Sequence, residues 1–183
     1  MKTDLRIVKT KKNLYDSLIK LMSVKEFEDI KVSDICSLAL INRSTFYSHF
    51  NDKYELLYSF ISDLKNDLQE HINKNEKIDN LKEYYLSMIS LFLDHIDENI
   101  DIYSMIVKNN SNSIVMDMIN NTLFEDVNKN IKLVKKSDIP TDFVSDFYMG
   151  AIVNIGINYL KNPKKYKKEK VVTYLDKLLP DDI

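Results

Sequence analysis

A polar stretch in the first third of the chain carries side chains that could contact a nucleic acid. Arg43 can donate two hydrogen bonds to a guanine edge or bind a phosphate, and Tyr47 offers a rigid phenol close by. Lys53 would place a positive charge beside the N–H groups that open the next predicted helix. Three hydroxyl side chains are short enough to approach phosphate oxygens closely: Ser44, Thr45 and Ser48. The stretch therefore predicts contact with the bases and the phosphate backbone of a DNA duplex.

Two short helices joined by a tight turn must position these side chains. The pattern predicts them over about Ser33–Leu40 and Arg43–Phe50, with Asn42 suited to accept a hydrogen bond as the cap of the second. The inner face of the first helix is predicted to consist of Ile35, Leu38 and Ala39. Phe46 and Phe50 lie four residues apart, so both should point into one core and leave the polar side chains outside. In such a helix-turn-helix the first helix braces across the DNA backbone and the second enters the major groove.

Longer helices are predicted on both sides of this pair. The first, over about Leu5–Met22, has an apolar stripe made of Ile7, Leu14, Leu18 and Leu21. The second, over about Asp52–Ile72, opens with the cap signal Asn51-Asp52-Lys53. Its stripe is made of Tyr54, Leu57, Ile61, Leu64 and Leu68. Because Asn73–Asn80 is polar, we expect a loop there. The predicted domains are a DNA-binding domain over residues 1–55, with a connecting helix to about residue 72, and a helical regulatory and dimerisation domain over residues 73–183.

The run ALINRSTFYSHFNDKYELL, residues 39–57, resembles the signature of the TetR (tetracycline repressor) family of transcription regulators. That signature is Ala-Gly-Val, a variable stretch, an aromatic pair, His-Phe, a short turn and Lys-x-x-Leu-Leu. Here it takes the form of a branch with Ile-Asn-Arg-x-Thr-Phe-Tyr-x-His-Phe. The lead-in from Phe27 to Ile35 matches as well, and the close resemblance covers about residues 5–65. It implies an all-α protein, with a three-helix head on a larger helical body that dimerises through its last two long helices.

The resemblance also implies roles in DNA binding for single residues. Phosphate contacts would fall to Thr45, Tyr47 and Lys53. Base contacts would fall to Arg43, Ser44 and Ser48, and His49 would lie near the DNA backbone. Packing inside the head is the alternative for Tyr47 and His49. The complete expected set is Ser33, Asn42, Arg43, Ser44, Thr45, Tyr47, Ser48, His49 and Lys53.

One residue departs from the family pattern. Leu40 stands where the family usually has the glycine of the turn. Glycine adopts a left-handed backbone without steric cost, whereas leucine makes that conformation costly. We therefore expect a turn of different geometry, or a first helix that is one residue longer.

The composition favours long helices and limits where DNA could bind. The 183 residues include two glycines and three prolines, too few for the many turns of a β-rich fold. The net charge is −2, but residues 1–55 carry ten basic side chains against eight acidic ones, and residues 66–160 carry eight against fifteen. Phosphate contact is thus expected at the head only. The single cysteine, Cys36, fits a reducing cytoplasm and is expected as a small buried hydrophobe, with a thiol sensor as the alternative.

Five further helices are predicted in the body, over about Leu81–Ile96, Glu98–Lys108, Ser113–Lys135, Thr141–Leu160 and Lys167–Leu179. The fourth is apolar on nearly every face, so it must be buried on all sides. A partner subunit is the economical cover for one side, and a central helix of a monomer is the alternative. Gly156 would help a partner helix to approach closely. The expected dimer interface consists of Phe143, Phe147, Gly150, Ala151, Asn154, Ile155, Leu175 and Leu179.

Two groups of body residues could hold a ligand or a metal. Aromatic and methionine side chains are candidates to line an effector cavity, since methionine fills adaptable spaces, with plain core packing as the alternative. These candidates are Tyr84, Tyr85, Met88, Phe92, Met105 and Phe124, together with Met116 and Met118. The groups His71, Asp94, His95, Asp97 and Glu98 could suggest a metal. From Asp94 to Glu98, however, the pattern favours a solvated helix end, and we expect neither a metal nor a cofactor.

These features predict a transcription regulator and not an enzyme, because the chain has no nucleophile–base pairing, glycine-rich phosphate loop or clustered metal-ligand spacing. We expect a homodimeric repressor on a palindromic double-stranded DNA operator, released by an unidentified small-molecule or protein effector. The alternative is a co-activator or adaptor whose helical body docks onto a protein partner. No apolar run reaches the roughly 18 residues that span a bilayer. Because Asp4 and Arg6 interrupt the start, we expect no signal peptide, and a cytoplasmic protein without a membrane partner.

Overall fold

The computed structural model describes residues 5–75, 80–110, 114–134, 138–162 and 165–179. Within these ranges the chain forms helices and turns and no β-strand, which confirms the expected all-α fold. The α-helices are α1 (Leu5–Met22), α2 (Val32–Ala39), α3 (Arg43–Tyr47), α4 (Lys53–Asn75), α5 (Leu81–Glu98), α6 (Ile100–Asn110), α7 (Ile114–Val134), α8 (Thr141–Lys161) and α9 (Lys168–Leu178). A short 3₁₀ helix, Phe27–Asp29, precedes α2.

Most helix ends lie within two residues of their predicted positions, and two ends differ by three. Helix α3 ends at Tyr47 and not at Phe50, because the chain turns there: the N–H groups of His49 and Phe50 both donate to the Phe46 carbonyl. Helix α4 continues to Asn75, past the loop expected from residue 73, since no glycine or proline interrupts its polar end. Residues 76–79 of that expected loop lie outside the described residues.

The first four helices enclose one apolar core. Its fully buried members include Leu14, Leu18, Phe27, Ile35, Phe46 and Leu56. Cys36 is buried beside them as expected, and burial raises the pKa of its thiol, which disfavours the reactive thiolate. Two expected core residues are exposed instead. Ile7 lies on α1 ahead of Leu14, where the buried part of the helix begins. Leu38 lies about 100° round α2 from the centre of its buried face.

Helix α6 is one of the body helices that pack against the head, together with α5 and α7. Ile106 of α6 and Val115 of α7 belong to the same core as the head helices. The buried side chain of Asn110 accepts a hydrogen bond from the Phe27 N–H (2.7 Å) and donates one to the Met22 carbonyl (3.3 Å). Asn109 donates to the Ser23 carbonyl (3.0 Å). The loop after α1 is therefore held by the end of a body helix.

The body has its own core between α5, α7, α8 and α9. Tyr85, Ile89, Tyr148 and Leu175 are among its buried members. Helix α8 buries one face in this core and exposes the opposite one. Gly156 lies on the buried face, where a Cβ atom would come within 2.7 Å of the Phe92 ring. Its small size thus serves packing onto α5, and the expectation that it admits a partner helix is wrong.

Candidate nucleic-acid interface and interior cavity

The turn between α2 and α3 has the left-handed geometry that a leucine disfavours. Leu40 adopts φ 56° and ψ 42°, so the expectation of a different turn or a longer helix is wrong. The N–H of Ile41 donates to the Cys36 carbonyl (3.1 Å), which satisfies the end of α2 as in a Schellman motif. The Leu40 side chain is 91% exposed and meets no neighbour that would add to the strain. The hydrogen bond offsets part of the cost of a left-handed leucine, and the exposed side chain adds no further strain.

Helix α3 separates its core residues from its polar residues. Phe46 and Phe50 are buried, which confirms their predicted core positions. The opposite side is an exposed surface, named the α3 face here, made of Asn42, Arg43, Ser44, Tyr47 and Ser48. Thr45 and His49 are half-buried at its edges. This separation supplies the geometry that a recognition helix needs; the contacts of the single residues with DNA stay predictions.

The residues of the α3 face are held by local contacts. The Tyr47 ring meets the edge of Phe46, with 5.4 Å between ring centroids, and is otherwise exposed. The Ser48 hydroxyl donates to the Thr45 carbonyl (2.7 Å). Asn42 occupies the N-cap position, but its side chain makes no capping hydrogen bond, so its expected capping contact is wrong and its amide lies at the surface. Ser33 is half-buried in the first turn of α2.

Lys53 lies inside the head and not on the α3 face. Its ammonium donates to the carbonyls of Phe27 (2.9 Å) and Glu28 (2.7 Å), and its side chain is only 12% exposed. The expected cap before it is present: the Asp52 carboxylate accepts from the N–H groups of Tyr54 and Glu55. The Lys53 ammonium thus holds the 3₁₀ helix against the start of α4, and its phosphate contact stays a prediction.

A cavity of about 150 Å³ lies where the head meets the body. Its wall is drawn from α1, α4, α5, α6, α7 and α8. Among the candidate lining residues it includes Met88, Phe92 and Met116. The wall also contains polar side chains that the sequence did not single out for it: Lys65, His95 and Tyr103. His95 follows Met88 and Phe92 at spacings of seven and three along α5, and this helical spacing was a usable signal.

The other candidate lining residues lie elsewhere. Tyr85 is buried against Tyr148, with 4.7 Å between ring centroids, and with Tyr84 it lines only a void of about 10 Å³. Met105 is 53% exposed. Met118 and Phe124 pack against the cores, away from the cavity wall. These five residues do not line this cavity, because it lies at a junction of six helices; a part for them in ligand binding stays a prediction.

His95 does not belong to a solvated helix end. It is half-buried, and its Nε2 atom lies 2.7 Å from the Tyr103 hydroxyl. Burial lowers the pKa of His95, and burial also raises the pKa of Tyr103 to about 12. Asp94 and Asp97 are exposed as expected, and they pair with Lys168 and the Tyr159 hydroxyl. Within the described ranges, no group of three His, Cys, Asp or Glu side chains could hold a metal ion.

The outer side of α8 is uncovered in the single chain and carries two exposed aromatic residues beside the exposed Asp142 and Asp146. Phe143 and Phe147 are 68% and 58% exposed, and a Cβ atom at Gly150 would meet nothing within 4 Å. Asn154 is exposed on the same side, with Ala151 and Ile155 half-buried at its edge. Leu175 and Leu179 are buried in the body core of the single chain, and their place in a dimer interface stays a prediction. On α9, Leu178 and Tyr174 are exposed, at 78% and 46%.

A family model described as the transcriptional regulator C-terminal region, of the TetR type, matches residues 83–181. The match covers more than half of the 183 residues. The chain belongs to the TetR family. Members of this family are transcriptional regulators, which confirms the expectation that the protein is not an enzyme. The match lies in the body, whereas the resemblance noted from the sequence lies in the head.

This TetR-family chain is 36% identical over 99 residues to the HTH-type dhaKLM operon transcriptional activator DhaS of Lactococcus lactis subsp. lactis (strain IL1403). The alignment covers 53% of this chain and 48% of DhaS, so the chain spans about half the length of the curated relative it matches.

The fold of the TetR-family chain is similar to those of two solved regulators. One is a TetR transcriptional regulator from Streptococcus agalactiae 2603V (24% identity, TM-score 0.67, 94% of both chains covered). The other is FadR from Bacillus subtilis in complex with stearoyl-CoA (18% identity, TM-score 0.70, 94% of this chain and 98% of FadR covered). At these identities the similarity establishes the fold. In the described part of the chain, no helix is both long and apolar enough to cross a membrane.

Proposed function

We propose that this regulator binds a palindromic operator as a homodimer and reads it with the α3 face. The observation that carries the proposal is the separation on α3, where Phe46 and Phe50 fix the helix from beneath and Arg43 and Tyr47 stay exposed. A recognition helix needs this arrangement, because its side chains must reach base edges without loosening the head. Arg43 would contact a guanine edge, and Tyr47 and Thr45 would contact phosphates.

The homodimer is proposed to form through the outer side of α8. Phe143 and Phe147 form an apolar strip that the single chain leaves uncovered, and Gly150 leaves room for a second helix. A two-fold axis at this strip would pair the same surface on both subunits. It would also present two α3 helices to half-sites about 34–36 Å apart.

The interior cavity is the proposed effector site. Its wall includes α1 and α4 of the head and α6 of the body, so an occupant would touch both parts of the molecule. Through Asn110, α6 also holds the loop that follows α1. Binding is therefore expected to change the orientation of the head and release a repressor from DNA. Activation is a second candidate, because the relative DhaS is named an activator.

Operator binding is tested by searching the DNA upstream of the gene for an inverted repeat and footprinting it with the purified protein. Arg43→Ala should weaken binding by about 1–3 kcal/mol through a lost base contact. Lys108→Ala removes an exposed positive charge from the body and serves as the matched control. Equal footprints for Arg43→Ala, Lys108→Ala and the unmodified protein would rule out α3 as the recognition helix.

The dimer is tested separately by sedimentation. Ala151→Arg places a charge at the edge of the apolar strip and should give a monomer that stays folded. A dimer that persists in this variant would place the interface elsewhere on the body.

A further inference from the structure

The interior cavity is small and almost wholly apolar. Its volume is about 150 Å³, whereas pockets for drug-sized ligands measure about 300–1,000 Å³. An engineered apolar cavity of about 150 Å³ stays dry and binds benzene. The wall here has the same character, with Leu57, Phe92, Ile106 and Ile119 among its members. One six-membered ring matches this space, and a long acyl chain does not.

The cavity wall has one neutral polar pair. His95 Nε2 and the Tyr103 hydroxyl lie 2.7 Å apart and share a single hydrogen bond. Because burial lowers the pKa of His95 and raises that of Tyr103 to about 12, both side chains are uncharged at neutral pH. When the Tyr103 O–H donates to His95 Nε2, the Tyr103 oxygen can still accept a hydrogen bond from a ligand. When His95 Nε2–H donates to the Tyr103 oxygen, the Tyr103 O–H is available to donate to a ligand. The pair can therefore meet either a hydroxyl or a carbonyl.

We propose that the cavity binds a compact, uncharged ring compound with one hydroxyl or carbonyl group, and that Tyr103 is its polar anchor. The ligand class rests on the proposed function, in which this cavity is the effector site. His95 is a positioning residue, since its hydrogen bond orients the Tyr103 hydroxyl. Lys65, the charged member of the wall, already has an interaction partner. A carboxylate ligand would leave water for a largely apolar space, which costs far more than moving a neutral ring.

Calorimetric titration of the full chain with four probes tests this ligand class. Phenol and toluene are rings of similar size, with and without a hydroxyl; benzoate adds a charge and stearate a long chain. Phenol is expected to bind about two- to tenfold more tightly than toluene, the gain of one buried hydrogen bond. Tyr103→Phe should abolish that preference and keep the affinity for toluene, which also shows that the cavity is still folded. Tyr174→Phe, on the exposed surface of α9, should retain the preference.

The ligand class is overturned if neither phenol nor toluene binds, if benzoate or stearate binds more tightly than phenol, or if Tyr103→Phe keeps the preference for phenol. Operator binding fails by a different measurement, because its footprint is first recorded without any probe, and a second footprint with phenol then tests the effector role. Phenol binding that leaves the footprint unchanged would uphold the ligand class and refute the effector role of the cavity.

Discussion

The α3 face and the interior cavity are built in opposite ways. The face comes from neighbouring residues of one short helix and its cap, held from beneath by Phe46 and Phe50. The cavity wall is drawn from six helices, and several of its members, such as Ile106 and Val115, are also core residues. In the proposed function, DNA recognition by the α3 face could therefore change one residue at a time. Effector recognition by the cavity, as proposed, could not change without altering the packing of the head on the body.

The largest expected effect is a difference in stability between substitutions on the two sides of α3. Phe46→Ala removes a fully buried ring and should lower the free energy of unfolding by about 3–5 kcal/mol. Its neighbour Tyr47 is largely exposed, so Tyr47→Ala should change that free energy by no more than about 0.5 kcal/mol. Urea denaturation followed by circular dichroism measures both. A large loss of stability in Tyr47→Ala would mean that the α3 face is part of the head core, and the contrast with the cavity would disappear.

A smaller effect is expected at the junction between head and body. Asn110→Ala leaves the Phe27 N–H and the Met22 carbonyl without their buried partner, which should cost about 1–3 kcal/mol of stability. Hydrogen exchange should also quicken at the Phe27 amide. Asn109→Ala is the matched control, because its side chain is only half-buried and makes one contact to the loop. If both variants exchange alike at Phe27, α6 does not hold the head through Asn110.

The head helices and the α3 face were predictable from the sequence. Helical spacing and the cap signal placed α1 to α4 within three residues, and the four-residue spacing of Phe46 and Phe50 identified the buried side of α3. Leu40 was the exception. A left-handed leucine costs about 1–2 kcal/mol, but the hydrogen bond that closes α2 and the exposure of the side chain depend on the folded turn. The backbone propensity of leucine alone predicts neither the hydrogen bond nor the exposure.

The lining of the interior cavity could not be predicted in the same way. Met88 and Phe92 were identified as methionine and aromatic side chains of α5, yet Tyr85, chosen on the same ground, is buried in the body core. Helical periodicity shows which side of a helix is apolar. It does not show whether that side meets another helix or a gap between helices. That distinction depends on how α6 and α7 cross the head, which arises from contacts between residues far apart in the chain.

The smallest expected effect tests whether the cavity wall is as dry as its lining suggests. Burial lowers the pKa of His95 below its ordinary value of 6.5, against the weaker opposing attraction of Glu98 and Asp67. As the pH falls below 6.5, the unfolded chain therefore binds more protons at this site than the folded one, and stability falls until the folded pKa is reached.

His95→Gln should flatten this part of the profile in urea denaturations between about pH 7.5 and 5.5. Tyr103→Phe should keep the slope, because the pKa is lowered by burial and not by the Tyr103 hydroxyl. A slope that vanishes in Tyr103→Phe would mean that the opened wall admits water to His95. The lowered pKa of His95 would then depend on the Tyr103 hydroxyl. The dry state of the cavity would in that case rest on one contact, as the α3 face rests on single residues.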